Sequence, residues 1–209
     1  MKTILAVAVA FLMVLGMASC SRDSGKPGRL ARPISDTQLK QELTTLSDTL
    51  TGKWNVMMTS DSVKIQQMEE LLAALPPAVM PPQQRADLQK SIRRLPTLRY
   101  DRRTVRNSSR IDAYDIAHDS VWNALRAFLP TDGPSGLARV DSLYQSISTL
   151  HNETVFYRGR YDKTAIEMNT LLRRYKKRLP NLGKPYDTLQ PAPLFQWIEK
   201  PDSSAQANQ

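Results

Sequence analysis

The sequence is poor in the residues that build disulfide frameworks and metal centres. It contains one cysteine and two histidines among 209 residues. A single cysteine cannot form an intramolecular disulfide, and it excludes a zinc site built from clustered cysteines. The two histidines, His118 and His151, lie 33 residues apart and leave little for a histidine-based metal centre. We therefore expect no metal site and no cofactor.

The motifs of common enzyme classes are also missing. The sequence has no glycine-rich phosphate loop, no nucleophile elbow and no two-histidine metal motif. Asp115 precedes His118 by three residues and could orient its imidazole for metal or acid–base chemistry. His118 also falls in the apolar register of its segment, however, which favours a packed core histidine. Asp61 interrupts another apolar stripe and is interpreted as a buried polar break. We predict no catalytic residues and no enzymatic activity.

Long apolar runs are confined to the N-terminus. Lys2 is followed by an apolar run over residues 4–17, and the small residues Ala18 and Ser19 precede Cys20. A basic start, an apolar run and small residues before a cleavage point are typical of a secretory signal peptide. The run is shorter than the roughly 20 residues that a membrane-spanning helix needs. We therefore expect export and no spanning segment.

The only cysteine lies where a lipoprotein signal would place it. Residues 15–20 (LGMASC) resemble the bacterial lipobox, with Met17 where leucine is more usual. The alternative is an ordinary signal peptide with an incidental cysteine. We predict a signal peptide over 1–19, then lipidation at Cys20 and a flexible tether over 20–36, which is rich in Ser, Gly, Pro and charge. The mature protein would be held on a bacterial membrane by its lipid, facing the periplasm or the cell surface.

Most of the remaining sequence has the apolar spacing of α-helices. From residue 37 to 75 the apolar positions recur about every 3.6 residues, and a pair of prolines follows. A second helical stretch begins near Gln83 and is disturbed at Pro96, which should kink or end it. A third long helix is expected over 137–179. In the tail that follows, the apolar residues expected to dock on the helices are Leu194, Phe195 and Trp197.

These elements predict an all-α fold. No segment shows convincing strand alternation, and short connections make neighbouring helices antiparallel. We predict an elongated antiparallel (up-down-up) helical bundle with long helices over 37–198, its middle leg broken near Pro96. A loose C-terminal tail over 199–209 is expected to follow.

One C-terminal stretch resembles a family signature. Residues 157–172 (YRGRYDKTAIEMNTLL) resemble the paired Tyr-Asn motif of the LemA family. Asp162 and Met168 replace the expected Asn and Tyr, and the usual Gly-Phe turn after the proline is absent. The positions that fit the signature are Tyr161, Asn169, Thr170 and Pro180.

Further positions resemble a lipoprotein branch of that family, namely Trp54, the segments around Tyr100 and Asp112, and a PLF sequence ending at Phe195. The resemblance implies a helical bundle held at a membrane by its N-terminus, with no family catalytic residues and no defined molecular function. A non-enzymatic LemA-like envelope lipoprotein, acting as a structural or interaction module, is the leading hypothesis.

Positive charge is concentrated in two segments. Residues 85–110 and 158–184 each contain nine Lys or Arg and two acidic residues, whereas the whole chain has a net charge of +9. In the up-down-up arrangement both segments meet at the end of the bundle opposite the lipid anchor. A concentrated field attracts anionic partners, although a solvated face with i,i+4 pairs is the simpler alternative. The candidate anion-binding residues are Arg94, Arg99, Arg102, Arg103, Arg173, Arg174 and Lys177.

This membrane-distal basic patch defines the second hypothesis, a binding protein for an anionic glycan or lipid. An acidic protein is a further possible partner, whereas nucleic acid is a poor candidate for an exported lipoprotein. Asp-Ser/Thr pairs followed by an apolar residue also resemble an O-glycosylation sequon of some Gram-negative bacteria. Their hydroxyl residues are Thr49, Ser62, Ser120, Ser142 and Thr188.

Overall fold

The structure is a computed structural model that describes residues 34–130 and 135–195. The chain divides into two compact units, and the second unit begins at Asp36. The predicted signal peptide, Cys20 and most of the tether lie outside the described residues, as do Trp197 and the predicted tail over 199–209. All regular structure in the described part is helical, which confirms the predicted all-α bundle. Its α-helices are α1 (Asp36–Ala74), α2 (Pro82–Leu98), α3 (Ser108–Arg126) and α4 (Ala138–Arg174).

The bounds of α1 follow from its sequence. An acidic residue, Asp36, lies in the first turn, where it interacts favourably with the helix dipole. The helix ends at Ala74, because the prolines at 76 and 77 lack the N–H that an α-helix needs. Its buried apolar side chains are Leu39, Leu43, Leu50, Trp54, Met57, Ile65, Met68, Leu71 and Leu72.

The two long helices, α1 and α4, run antiparallel. Residues later in α1 contact residues earlier in α4. Near the start of α1, Arg178 pairs with Asp36, and near its end the Nη2 atom of Arg139 lies 3.0 Å from the Oε2 atom of Glu70. Between these ends, α1 and α4 are joined by hydrogen bonds from Lys53 to Thr164 and from Lys64 to Thr154.

The middle of the chain differs from the expected up-down-up course. Helix α2 descends along α1, since Arg85 donates to the carbonyl oxygen of Leu75 and Arg99 donates to Ser62. Helix α3 then returns upwards, and near its end Trp122 stacks on Tyr144 of α4, with ring centroids 5.5 Å apart. The segment predicted as one broken middle helix is therefore a hairpin of two helices, α2 and α3. The four α-helices follow an up-down-up-down path.

The reversal between α2 and α3 is built by a local turn. Pro96 lies in the last turn of α2, which ends at Leu98. The Oδ1 atom of Asp101 then accepts hydrogen bonds from the backbone N–H groups of Arg103 and Thr104, each at 2.8 Å. Such side-chain acceptance of downstream N–H groups is how aspartate stabilises tight turns. Of the two outcomes predicted for Pro96, a kink or an end of the helix, the structure shows the end. The hydrogen bonds of Asp101 then reverse the chain direction.

The α2–α3 hairpin covers the C-terminal half of α1. One apolar cluster joins this half to both hairpin helices and to the start of α4. It includes the fully buried residues Met68, Ile92, Leu125 and Ile147. Apolar burial of this kind supplies most of the free energy that favours folding.

No helix within 34–130 and 135–195 combines the length and the apolar character needed to cross a membrane.

The tail after α4 folds back onto the helices. Helix α4 ends at Arg174 rather than at the expected residue 179, and a 3-10 helix follows over Leu179–Leu182. Asn169 exchanges two hydrogen bonds with the backbone of Ala192, at 2.8 and 2.7 Å. Phe195 enters an aromatic cluster beside Trp54, so the predicted docking of the tail is confirmed for Phe195.

Candidate functional site

A cluster of polar side chains surrounds Asp61, the residue that interrupts the apolar stripe of α1. The Asp61 side chain is only 11 % exposed, and the Nζ atom of Lys64 lies 3.5 Å from its Oδ1 atom. On the other side, Arg99 Nη1 lies 3.5 Å from Asp61 Oδ2. Tyr114 of α3 donates its hydroxyl proton to Asp61 Oδ2. The predicted polar break is therefore a junction between α1, α3 and the segment that follows α2.

The hydrogen bonds of Tyr114 determine the tautomer of His118. The Nε2 atom of His118 lies 3.0 Å from the Tyr114 hydroxyl oxygen. A phenol has one proton to donate, and Tyr114 gives it to Asp61. The bond between the two residues therefore requires His118 to carry its proton on Nε2. Its Nδ1 atom is left with a lone pair, is buried, and has no hydrogen-bond partner among the described residues.

Burial sets the protonation state of this cluster. It lowers the pKa of His118 to about 4, and the nearby charge of Lys64 acts in the same direction. His118 is therefore neutral at pH 7. Burial also lowers the pKa of Lys64, although the charge of Asp61 opposes the shift. The pKa of the Tyr114 hydroxyl is raised by burial and by Asp61, which keeps it a hydrogen-bond donor.

A second ion pair, between Arg158 and Asp115, lies beside the first cluster. The Nη1 and Nη2 atoms of Arg158 donate to both carboxylate oxygens of Asp115, at 2.7 and 2.6 Å. This bidentate geometry is the strongest that the two groups can form. The guanidinium also donates to the Tyr100 hydroxyl at 3.1 and 3.2 Å. Burial alone would lower the pKa of Arg158, but Asp115 and Tyr100 outweigh it and raise that pKa.

An open pocket of about 200 Å³ lies between these polar groups. Lys64 donates to the Thr154 hydroxyl oxygen across it at 3.3 Å. At its rim, the Nε2 atom of His151 lies 3.7 Å from an Asp119 carboxylate oxygen. Within residues 34–130 and 135–195, no three His, Cys, Asp or Glu side chains are placed to hold a metal ion. The pocket is lined by Asp61, Lys64, Tyr114, Asp115, His118, Asp119, His151, Thr154, Val155 and Arg158.

Four of the residues that carry the LemA resemblance, Trp54, Tyr100, Tyr161 and Phe195, meet in one aromatic cluster. Trp54 contacts Tyr100, Tyr161 and Phe195, with ring centroids 5.6 to 6.3 Å apart. The guanidinium of Arg158 lies 5.4 Å from the Tyr100 ring centroid and 5.3 Å from that of Phe195. These contacts connect the polar pocket to the docked tail. Asp112, by contrast, is exposed.

The candidate anion-binding residues are mostly on the surface. Arg94, Arg102, Arg103, Arg173, Arg174 and Lys177 are exposed, whereas the Arg99 side chain is only 29 % exposed and faces Asp61. Arg102 lies over the Trp54 ring at 5.6 Å and donates to the Thr51 hydroxyl at 3.4 Å. Arg99 is therefore a member of the Asp61 cluster rather than a free cation.

The expectation that both basic segments meet at one end of the bundle is wrong, whereas the predicted anchor at Cys20 lies outside the described residues. The contact between Tyr100 and Arg158 places the middle of the first segment beside the start of the second. The second segment then continues to the start of α1, where Arg178 pairs with Asp36. The reversal between α2 and α3 is the reason, because it makes α4 descend. Arg173, Arg174 and Lys177 thus lie at the end of the bundle where α1 begins.

His118 is packed in the core, as predicted, with 3 % of its surface exposed. Its orienting partner, however, is Tyr114 rather than Asp115, whose carboxylate binds Arg158. The contact between Asp61 and Tyr114 joins positions 53 residues apart, which helical periodicity does not relate. The sequence signal that could have indicated this contact is that Asp61 and His118 each occupy a position in the apolar register of their helix.

The hydroxyl residues of the five Asp-Ser/Thr sequences are all exposed. Surface position is a requirement for a glycan acceptor. Ser62 is also held by its neighbours, since it donates to the carbonyl oxygen of Met58 at 2.9 Å and accepts from Arg99 at 2.9 Å. Its hydroxyl is thus engaged within the fold.

No protein-family model, curated protein or solved structure matches this chain. The LemA resemblance stays a prediction.

We expect the free energy of unfolding to fall as the pH is lowered from 7 to 5. The pKa of His118 is about 4 in the folded protein and about 6.5 in an unfolded chain. The unfolded state therefore takes up a proton that the folded state rejects. The stability is complete above pH 6.5 and is lost as the pH falls towards 4, with a loss of about 2 kcal/mol between pH 7 and 5.

Urea unfolding of the wild type and of His118→Gln at both pH values measures this effect. Glutamine does not titrate, so the difference in stability between the two proteins should change by about 2 kcal/mol. His151 and the carboxylates are common to both proteins and cancel in the comparison. A difference that is the same at pH 7 and pH 5 would contradict the assignment of His118.

Proposed function

We propose that this protein is a non-enzymatic, LemA-like lipoprotein of the bacterial envelope, held on a membrane through Cys20. Its helical bundle serves as a structural or interaction module. The observation that carries the proposal is the position of the only cysteine in a lipobox-like segment, after an apolar run too short to span a membrane. Export and lipidation are what this arrangement predicts.

The internal pairing of the polar cluster supports a structural role. Asp61 is paired with Lys64, and Asp115 with Arg158, so these charges stabilise contacts between helices. Hydrogen-bonded groups of this kind position the α2–α3 hairpin on the two long helices. The surface is then the part of the molecule available to partners.

The mass of the N-terminal peptide of the native protein tests the anchor. We expect the mature chain to begin at Cys20 and to carry acyl chains, because cleavage before the cysteine frees it for lipidation. The Cys20→Ala variant should lack the acyl mass, whereas Ser19→Ala, which leaves the cysteine in place, should retain lipidation. A native chain that begins elsewhere, or an unmodified Cys20, would contradict the proposal.

A second function, binding to anionic lipid headgroups, is favoured by the charges at the end of α4. Arg173, Arg174 and Lys177 are exposed, and they lie close to Arg178, which pairs with Asp36 at the start of α1; the predicted tether precedes Asp36 in the sequence. Basic residues close to an anchoring point reinforce lipid-mediated attachment to a negatively charged membrane. The basic patch is therefore proposed to act near the anchor, and not at the membrane-distal end.

Vesicle binding tests this second function. The mature chain carrying Cys20→Ala should bind vesicles that contain phosphatidylglycerol, and raised salt should weaken the binding. Reversal of both charges in Arg173→Glu/Arg174→Glu should reduce binding at least about tenfold, since each basic residue contributes about 1 kcal/mol near such a surface. Lys90→Glu/Arg126→Glu, the same charge change at exposed positions of α2 and α3, is the matched control. Equal binding by both variants, or by neutral vesicles, would overturn the assignment.

A further inference from the structure

The exposed face of α4 carries a line of aromatic, basic and polar side chains. Its members are spaced alternately by four and three residues, so they lie above one another along the helix. All of them are exposed, and Phe156 has 70 % of its surface in contact with solvent. We call this set the outer stripe; it consists of Phe156, Arg160, Lys163, Glu167, Thr170 and Arg174.

An open groove of about 310 Å³ between α1 and α4 adjoins the outer stripe at Arg160. Lys53 of α1 donates to the Thr164 hydroxyl of α4, which uses one of its three ammonium protons and leaves two for other acceptors. The Tyr157 hydroxyl donates to Glu153 at 3.1 Å. The groove is lined by two cations and no carboxylate, and its lining residues are Thr49, Gly52, Lys53, Val56, Tyr157 and Arg160.

Apolar side chains flank these cations on both helices. Phe156 precedes Arg160 by about one helical turn on α4, and Val56 of α1 is exposed in the lining of the groove. Val63, two turns after Val56, is exposed as well. Exposed aromatic and aliphatic side chains that alternate with Lys and Arg are typical of helices that lie on a membrane surface.

The charge of this face indicates which partner it suits. The outer stripe contains three cations and one acid, Glu167, and Lys53 adds a further cation across the groove. An anionic bilayer offers negative headgroups to these cations and an apolar interior to Phe156. A second copy of the chain, joined through the same face on both molecules, would oppose like charges, which is unfavourable.

We propose that the outer stripe and the adjoining groove lie on an anionic lipid bilayer, with the Phe156 ring inserted below the headgroups. Arg160 and Lys53 contact lipid phosphates at the groove, and Lys163 and Arg174 contact neighbouring headgroups. The inference rests on the second function proposed above, which assigns Arg174 to the same membrane, and it adds the side of the bundle that faces the lipid. Helices α1 and α4 then lie along the membrane surface.

A fluorescent label at position 156 tests the insertion directly. The mature chain carrying Cys20→Ala has no cysteine, because Cys20 is the only one, so Phe156→Cys can be labelled at one site with the fluorophore NBD. On vesicles that contain phosphatidylglycerol, the emission should rise and shift to shorter wavelength, and spin-labelled lipids should quench it. A label at Ile116→Cys on α3, where the native side chain is 69 % exposed, is the matched control and should stay in water.

Substitutions separate the apolar contact from the basic ones. Phe156→Ala should weaken vesicle binding about tenfold, since the burial of one phenylalanine side chain contributes at least that factor, whereas Phe156→Leu should retain most of the affinity. Ile116→Ala, which removes a side chain of similar exposure, should bind as the parent chain does. Arg160→Glu/Lys163→Glu should weaken binding at low salt, and by a smaller factor at raised salt.

The outcomes distinguish this inference from the second function on which it rests. If Arg173→Glu/Arg174→Glu weakens binding but the label at 156 stays in water, the second function stands and the insertion is overturned. If the chain carrying only Cys20→Ala does not bind the vesicles, both are overturned. A label response that needs no vesicles and grows with protein concentration would identify a second copy as the occupant, which also overturns the proposal.

Discussion

The structure depends on one carboxylate that interrupts the apolar face of a long helix. Asp61 accepts a hydrogen bond from Tyr114 of α3 and pairs with Arg99, at the segment where the chain turns between α2 and α3. It also neutralises Lys64, which in turn reaches Thr154 of α4. A one-turn slip of the hairpin along α1 would separate these partners and leave charges unpaired in the interior, at a cost of several kcal/mol. Apolar burial favours packing of the helices, and Asp61 selects their register.

A second set of contacts continues from this junction towards the tail. Arg158 is fixed by the carboxylate of Asp115 and by the Tyr100 hydroxyl, and its planar group packs against Phe195. Arg158, which lines the pocket, therefore also contacts the tail. The consequence is that the pocket, the aromatic cluster and the docked tail share one polar and aromatic network. That network leaves the Nδ1 atom of His118 as an acceptor within it.

Sequence periodicity predicted the long helices well and their path less well. For α1, the spacing of apolar residues and the prolines at 76 and 77 placed both ends within one residue of Asp36–Ala74. The reversal between α2 and α3 was not predicted, because Pro96 indicates where a helix breaks but not the direction in which the chain continues. That direction depends on the local hydrogen bonds of Asp101. The site was missed for another reason: periodicity shows that Asp61 lies at a core position, but its partners are distant in sequence and are set by the packing of α3.

The most direct test of the role of Asp61 is the unfolding free energy of three variants at pH 7. Asp61→Asn should lose about 3 kcal/mol, because Lys64 would remain buried without its counter-charge. Lys64→Met alone should also destabilise the fold, but the double variant Asp61→Asn/Lys64→Met should recover most of the loss. The buried ammonium group is then removed together with its counter-charge, whereas Arg99 is partly exposed to solvent and still donates to Ser62. Wild-type stability in Asp61→Asn, or a double variant that loses the sum of both single effects, would contradict the account.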